Sequence, residues 1–386
     1  MGNAEKLFFQ LLRFEICGGT LEESARALAT KEALAIVFKL AKMHDIAHLI
    51  ADALHKGGLT DVDEELYAQF KKQQQLAVYR YERMQYEYNQ ICEALERAQI
   101  AYLPLKGAVM REYYPEAWMR TSCDIDILVH PEHLGAAVSA LKNGLQYKED
   151  GGYTHDVSLY SENGVHLELH HTLIEERYYK GSAQVLSSVW SVATPVREGV
   201  YRHELPDEVF YFYHFAHMAK HFGHGGGCGV RSFIDVWILD NAFSYDAEKR
   251  NALLEKGRLA AFAAASEKLT KVWFADAEYD ELSVQMQQYV LRGGTYGSFA
   301  NRIPAQASKK GKKKYVLSRI FEPYETLKEK YPVLKKHKWL YPFYQVRRWF
   351  KLIFRKKNRD GAKREWEAIR SDDKNAVFDL MKALEL

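Results

Sequence analysis

The chain has 386 residues, 47% hydrophobic and 27% charged, enough apolar material for two or three domains and too much for a disordered chain. Its 54 Lys and Arg against 51 Asp and Glu leave a net charge of +3, which on its face argues against a dedicated nucleic-acid binder. Cys17, Cys92, Cys123 and Cys228 lie far apart with no Cys-x-x-Cys pair, which excludes a disulfide scaffold or cysteine zinc finger and suits a reducing compartment.

The apolar stretch 7–12 is short, interrupted by Gln10 and followed by Arg13 and Glu15. Neither a signal peptide nor a membrane span is expected, and the reading is of a soluble, cytoplasmic protein. Residues 1–98 read as helices: Leu7 and Leu11, then Leu34, Phe38 and Ala41, recur at three- and four-residue spacing. Thr20 followed by Glu23 fits a capping box, and a long amphipathic helix is expected from Glu64 to Arg97.

The pattern changes at Gln99. Residues 100–105 read as a buried strand, Lys106-Gly107 opens a short helix over 108–114, and residues 123–129 alternate as a half-buried strand. A helix over 131–143 should end at Gly144, and strands at 157–160 and 165–169 flank the turn Ser161-Glu-Asn-Gly164. From Glu208 helical patterns return. The expectation is an α+β fold in three parts: a helical section at 1–98, a small mixed sheet at 99–205 and a helical section at 206–386.

Asp124 and Asp126 stand two apart on one strand, so both carboxylates leave the same face while Ile125 and Ile127 enter a core. In His166-Leu-Glu-Leu-His170 the same alternation aligns His166, Glu168 and His170. If the two strands are neighbours, three carboxylates converge, an arrangement that a divalent cation makes favourable. Magnesium takes a few carboxylates plus phosphate oxygens, and two such ions stabilise the attacking and leaving oxygens of a phosphoryl displacement. Gly107 permits close approach of a phosphate, and Lys106 adds positive charge.

The block Tyr102-Leu-Pro-Leu-Lys-Gly-Ala-Val109, with Tyr113-Tyr-Pro115, Arg120 and Asp124-Ile-Asp-Ile-Leu-Val129, resembles the uncharacterised nucleotidyltransferase family of the DNA polymerase β superfamily. Ala41-Lys-Met-His44, the stretch 165–170 and Tyr331-Pro332 with Trp339-Leu-Tyr-Pro342 are similar to that family as well. The resemblance implies a mixed sheet bearing Asp124 and Asp126 as metal ligands and Glu168 as the third carboxylate, which helps activate the attacking hydroxyl. It implies transfer of a nucleoside monophosphate from a nucleoside triphosphate, with two Mg²⁺ ions, to a hydroxyl acceptor it does not identify. Lys106-Gly107 stands where the superfamily has Gly-Ser, so a phosphate-contacting hydroxyl is missing. Lys106, Arg120 and Ser122 are the candidates to compensate, although a structural salt bridge is an equal alternative for Arg120.

His214, His217, His221 and His224 fall along one helix face. Zinc, the wall of a substrate pocket holding His170, His217 and His221, and plain packing are all open, and His217-Met-Ala-Lys-His221 lacks the glutamate of HExxH. The glycines of 223–229, near Arg231 and Asp235, mark either a lid or a helix connection, and Arg292-Gly-Gly-Thr-Tyr-Gly297 reads as a turn without GxxxxGK[ST]. Residues 301–370 carry 22 Lys and Arg against 6 Asp and Glu, a net +16 that leaves −13 for the rest. The run Lys309-Lys-Gly-Lys-Lys-Lys314 and the aromatics Trp339, Tyr341, Tyr344, Trp349 and Phe350 fit a nucleic-acid surface. Trp349, Phe350, Leu352, Ile353 and Phe354 fit the apolar side of an anionic-membrane contact, and helix packing with solvated lysines is the plainer reading. Two rival functions follow, a toxin-like RNA- or protein-modifying transferase using this basic segment and a binding module without catalysis.

Overall fold

The computed structural model describes every residue except 1, 153–155, 177, 355–359, 361–362, 365–366 and 368–372. The side chains of 151–152, 309–310, 312–313, 329, 352–353 and 373–374 also fall outside it. Part of the basic segment, including Leu352, Ile353 and four lysines of the run 309–314, therefore lies outside the described side chains.

The N-terminal section is helical: α1 (Asn3–Cys17), α2 (Glu23–Leu28), α3 (Lys31–Met43), α4 (Ala47–Lys56) and α5 (Glu64–Arg97). Thr20 does not cap α2, whose N-cap is Glu22; the hydroxyl and carboxylate that do cap helices here are Thr30 on Ala33 and Asp63 on Leu66. The α+β core follows: β1 (Tyr102–Pro104), the single turn α6 (Gly107–Met110), β2 (Asp124–Val129), α7 (Leu134–Leu145), β3 (Lys148–Gly152), β4 (Asp156–Tyr160) and β5 (His166–His170). The five strands form one mixed sheet in the order β1-β2-β5-β4-β3, with β2 parallel to β5 and the other pairs antiparallel.

Strand alternation gives the sheet two unlike faces. Ile125, Ile127, Leu167 and Leu169 pack beneath α5 and α7 in one apolar cluster with Met84, Ile91 and Leu141. On the other face Leu103 and Leu128 join a much larger cluster that draws on α1, α3 and α4 and on the helices after the sheet. Those are α8 (Lys180–Leu186), α9 (Asp207–Ala219), α10 (Gly229–Ala242), α11 (Ala247–Lys256), α12 (Ala260–Phe274) and α13 (Glu281–Gly293). A two-residue ribbon, β6 (Thr194–Pro195) with β7 (His203–Glu204), lies between α8 and α9. The chain continues through α14 (Phe299–Lys310), α15 (Lys312–Ile320), α16 (Tyr324–Lys330), α17 (Val333–Lys336), α18 (Tyr341–Phe354) and a last described helix, Asp373–Ala383.

The two glycine-rich stretches explain each other. Gly226, at φ +87°, passes so close to α14 that a Cβ would stand 2.6 Å from Arg302 N and Ser298 O. At Gly297, φ +77°, a Cβ would stand 2.2 Å from Gly225 O. Asn301 Nδ2 donates to Gly226 O and Tyr289 O, which pins the crossing. Of the two readings open for 223–229, the structure shows a connection, running from a π-helical turn after α9 into α10. Gly226, Gly227, Gly229 and Gly297 press on backbone, and their place is set by packing.

Candidate active site

Parallel pairing of β2 with β5 puts Asp124 opposite His166, Asp126 opposite Glu168, and Leu128 opposite His170. Partners in register share a face, so the carboxylates of Asp124, Asp126 and Glu168 converge as the alternation predicted. Their ligand atoms form two overlapping groups, Asp124–His166–Glu168 and Asp126–Glu168–His170, within each of which all donors lie inside 4.8 Å. Glu168 belongs to both.

Lys106 Nζ lies 2.6 Å from Asp126 Oδ1, and His170 Nε2 lies 2.8 Å from the same oxygen and 3.4 Å from Glu168 Oε2. Burial opposes ionisation of Asp126, yet the charge of Lys106 and the hydrogen bond from His170 outweigh it and hold the carboxyl below the usual range. Burial lowers the basicity of Lys106 and His170 too, but the carboxylates more than restore both. Glu168 is kept ionised by its His170 hydrogen bond, against burial. Among the described residues no ion pair reaches Asp124, and burial, then the charge of Asp126, push its carboxyl up to about 6.

Lys106 holds this position from a strained backbone. Its φ of 45° and ψ of −117° are a conformation ordinarily left to glycine. Gly107 follows because a Cβ there would meet Ser122 Cβ at 3.1 Å. The helix that Lys106-Gly107 was expected to open over 108–114 is one α-turn followed by a 3₁₀ turn, Arg111–Tyr113.

Ten of the residues singled out in the sequence line one cleft of about 480 Å³ between the sheet and α9–α10: Lys106, Gly107, Arg120, Ser122, Asp124, Asp126, Glu168, His170, His217 and His221. They are not equally available to a ligand. Arg120 Nε and Nη2 each lie 2.7 Å from the Asp235 carboxylate, and Nη1 donates to Thr121 O, so the bidentate fork is closed on α10 as a structural salt bridge. Asp235 also accepts from Tyr114 at 2.6 Å. Ser122 Oγ accepts from Arg111 and donates to Met84 Sδ.

Across the cleft, His214, His217 and His221 face the carboxylates from α9 and the π-turn after it, whereas His224 packs beside Tyr178 and Tyr179 instead. His217 and His221 are hydrogen-bonded through Nε2 atoms 3.0 Å apart. Burial, then the Lys106 charge, drives His217 far below its ordinary range and His221 to about 4, so the pair is neutral at physiological pH. Among the described residues, no group of three metal-donor side chains includes either histidine.

Several lining residues had no role in the sequence reading. Asp156 lies opposite His170 in the sheet, Lys220 stands over the Tyr178 ring at 5.0 Å, and Tyr296 reaches Cys123 Sγ at 2.8 Å across the cleft mouth. Arg231 was noticed only as a neighbour of the glycines; its Nη1 joins Asp45 and Thr121. The contacts of Lys220, Tyr296 and Arg231 join positions more than 40 apart, so no local pattern marks them.

An aspartate pair on one strand with a third carboxylate in register beside it is a donor set for divalent cations, built mainly of the oxygen ligands that Mg²⁺ prefers. The model of the uncharacterised nucleotidyltransferase family matches residues 33–275, from α3 to the end of α12, and the chain belongs to that family. No curated protein and no solved structure matches it.

Proposed function

We propose that the chain transfers the nucleoside monophosphate of a nucleoside triphosphate to an acceptor hydroxyl in a Mg²⁺-dependent reaction. The observation that carries this reading is the register Asp126 with Glu168, which gathers three carboxylates on one face of a family sheet. The acceptor oxygen forms a bond to the α-phosphorus, the bond from that phosphorus to the bridging oxygen breaks, and pyrophosphate leaves with the electron pair.

Asp124, Asp126 and Glu168 hold the cation. When bound, Mg²⁺ supplies the charge that stabilises the attacking and leaving oxygens. The two cations already touching Asp126 both contact Oδ1, which leaves Oδ2 as its donor atom. Glu168, half-buried and ionised, is the acceptor for the hydroxyl proton. Lys106, Lys220 and Arg231 make the rest of the wall positive toward a triphosphate, while the neutral His217–His221 pair offers polar contacts to the acceptor. With Arg120 closed on Asp235, its task is to fix the strand-side loop to α10, a positioning role.

The test is incubation with each labelled nucleoside triphosphate, Mg²⁺ and a cell extract, followed by separation of protein, RNA and small molecules. Label should enter one fraction and be lost with Asp124→Asn/Asp126→Asn. Absence of label with every triphosphate, together with absence of Mg²⁺-dependent nucleotide binding, would refute the reading.

A further inference from the structure

The basic segment lies beyond the residues matched by the family model, and its helix α18 is built inside out. A surface helix of a soluble protein turns apolar side chains inward and polar ones to water. In α18 the inward face is polar. Gln345, itself buried, donates to Glu322 O, as does Tyr341, while Trp349 Nε1 donates to Ile320 O at 2.7 Å and Arg348 Nε pairs with Glu322 Oε2 at 2.9 Å. These bonds fix the rotation of the helix about its axis.

The outward face is apolar. Phe343, Val346, Phe350 and Phe354 follow at helical spacing, and Trp339 on the preceding turn extends the strip. Their exposures are 62%, 43%, 57%, 75% and 76% in that order, with the rings of Phe350 and Phe354 stacked at 5.8 Å. A contiguous strip of this kind marks a contact surface. Exposed Lys335, Lys336 and Lys338 lead into it, Arg347 flanks it, and the surrounding segment 301–370 carries the net +16.

We infer that α18 rests in the interface of an anionic lipid bilayer, with Trp339, Phe343, Val346, Phe350 and Phe354 in the acyl boundary and the flanking cations at the headgroup phosphates. Three observations select this occupant. A second copy of the chain would bring one +16 segment against another. A nucleic acid needs a groove with cations between stacking rings, whereas this strip is unbroken along the helix and includes the non-aromatic Val346. An apolar face bordered by basic residues matches an interfacial helix. With 14 residues, α18 lies in the plane of the membrane, and no described helix is long and apolar enough to cross one. The inference does not depend on nucleotidyl transfer.

The experiment is flotation of the full chain with vesicles of phosphatidylcholine alone or mixed with phosphatidylglycerol, at low and high salt. Binding is expected to the mixed vesicles at low salt, weaker at high salt, and reduced at least about tenfold by Phe343→Ser/Phe350→Ser. Both positions are exposed, and circular dichroism checks that the variant is folded. Equal flotation with neutral vesicles, or no effect of the double variant, would overturn the inference. So would capture of single-stranded RNA without vesicle binding, or a dimer by light scattering that the double variant dissolves.

Discussion

Replacing Asp124 by Asn should stabilise the protein when no metal is present. The Asp124 carboxyl is raised from 3.8 to about 6 by burial and by the charge of Asp126. The native state therefore binds this proton more tightly than the unfolded chain does. Stability falls as pH rises from about 4 through about 6 and stays low above, because the ionised carboxylate is disfavoured only in the fold. That rise corresponds to about 3 kcal/mol, and partial exposure of Asp124 reduces this to about 1–2 kcal/mol. For a chain of this size that is on the order of 1–3 °C in Tm. Thermal unfolding in EDTA should place Asp124→Asn above wild type at pH 8 and level with it near pH 4. Adding Mg²⁺ should reverse the order at pH 8, because only wild type retains the full ligand set. An Asn variant no more stable than wild type at pH 8 in EDTA would refute the electrostatic argument, as would equal Mg²⁺ stabilisation of both.

Lys106→Ala and Lys106→Gly both strip the ammonium from Asp126, and each should lose about 2–3 kcal/mol in urea denaturation, below the full cost of breaking a buried pair because His170 remains. The Gly variant should be the more stable by about 1 kcal/mol, since it alone relieves the backbone at φ 45°, and equality of the two would contradict the strain. Asp235→Ala orphans both Arg120 and Tyr114 and should cost about 3–5 kcal/mol, much of it recovered in Arg120→Met/Asp235→Leu; a mild single substitution would show the fork to be weak. Gly226→Ala should cost more than about 2 kcal/mol because it meets α14 backbone. Gly164→Ala, at φ +72° with open space around it, should cost about 1 kcal/mol, and similar chemical-denaturation midpoints for the two would contradict the close crossing.

The metal-ligand candidates were readable because alternation on a strand is a local signal: residues two apart share a face, and only the adjacency of β2 and β5 had to be supplied by the fold. Helix α5 was readable from Glu64 to Arg97 for the same reason, a long regular period. Strand β3 was not, because Lys148-Glu-Asp-Gly-Gly152 has the composition of a turn and pairs along one edge only. Nothing near Arg120 announces Asp235, 115 positions away, so a phosphate fork and a salt bridge look alike in sequence. The sequence also placed Trp349 with Phe350 and Phe354 on an apolar side of α18. Its indole N–H instead turns inward to Ile320 O, and the strip runs through Trp339, Phe343 and Val346. Periodicity identifies a face, but the hydrogen-bonding partners on the next helix decide which way it turns.

Calorimetric titration of nucleoside triphosphate into the full chain, with Mg²⁺ and with EDTA, tests the carboxylate site most directly. Wild type should bind nucleotide with Mg²⁺ and much more weakly in EDTA, and Asp124→Asn/Asp126→Asn should bind weakly in both. Equal binding by wild type and variant, with equal metal dependence, would contradict the assignment of Asp124, Asp126 and Glu168 as the metal-bearing centre.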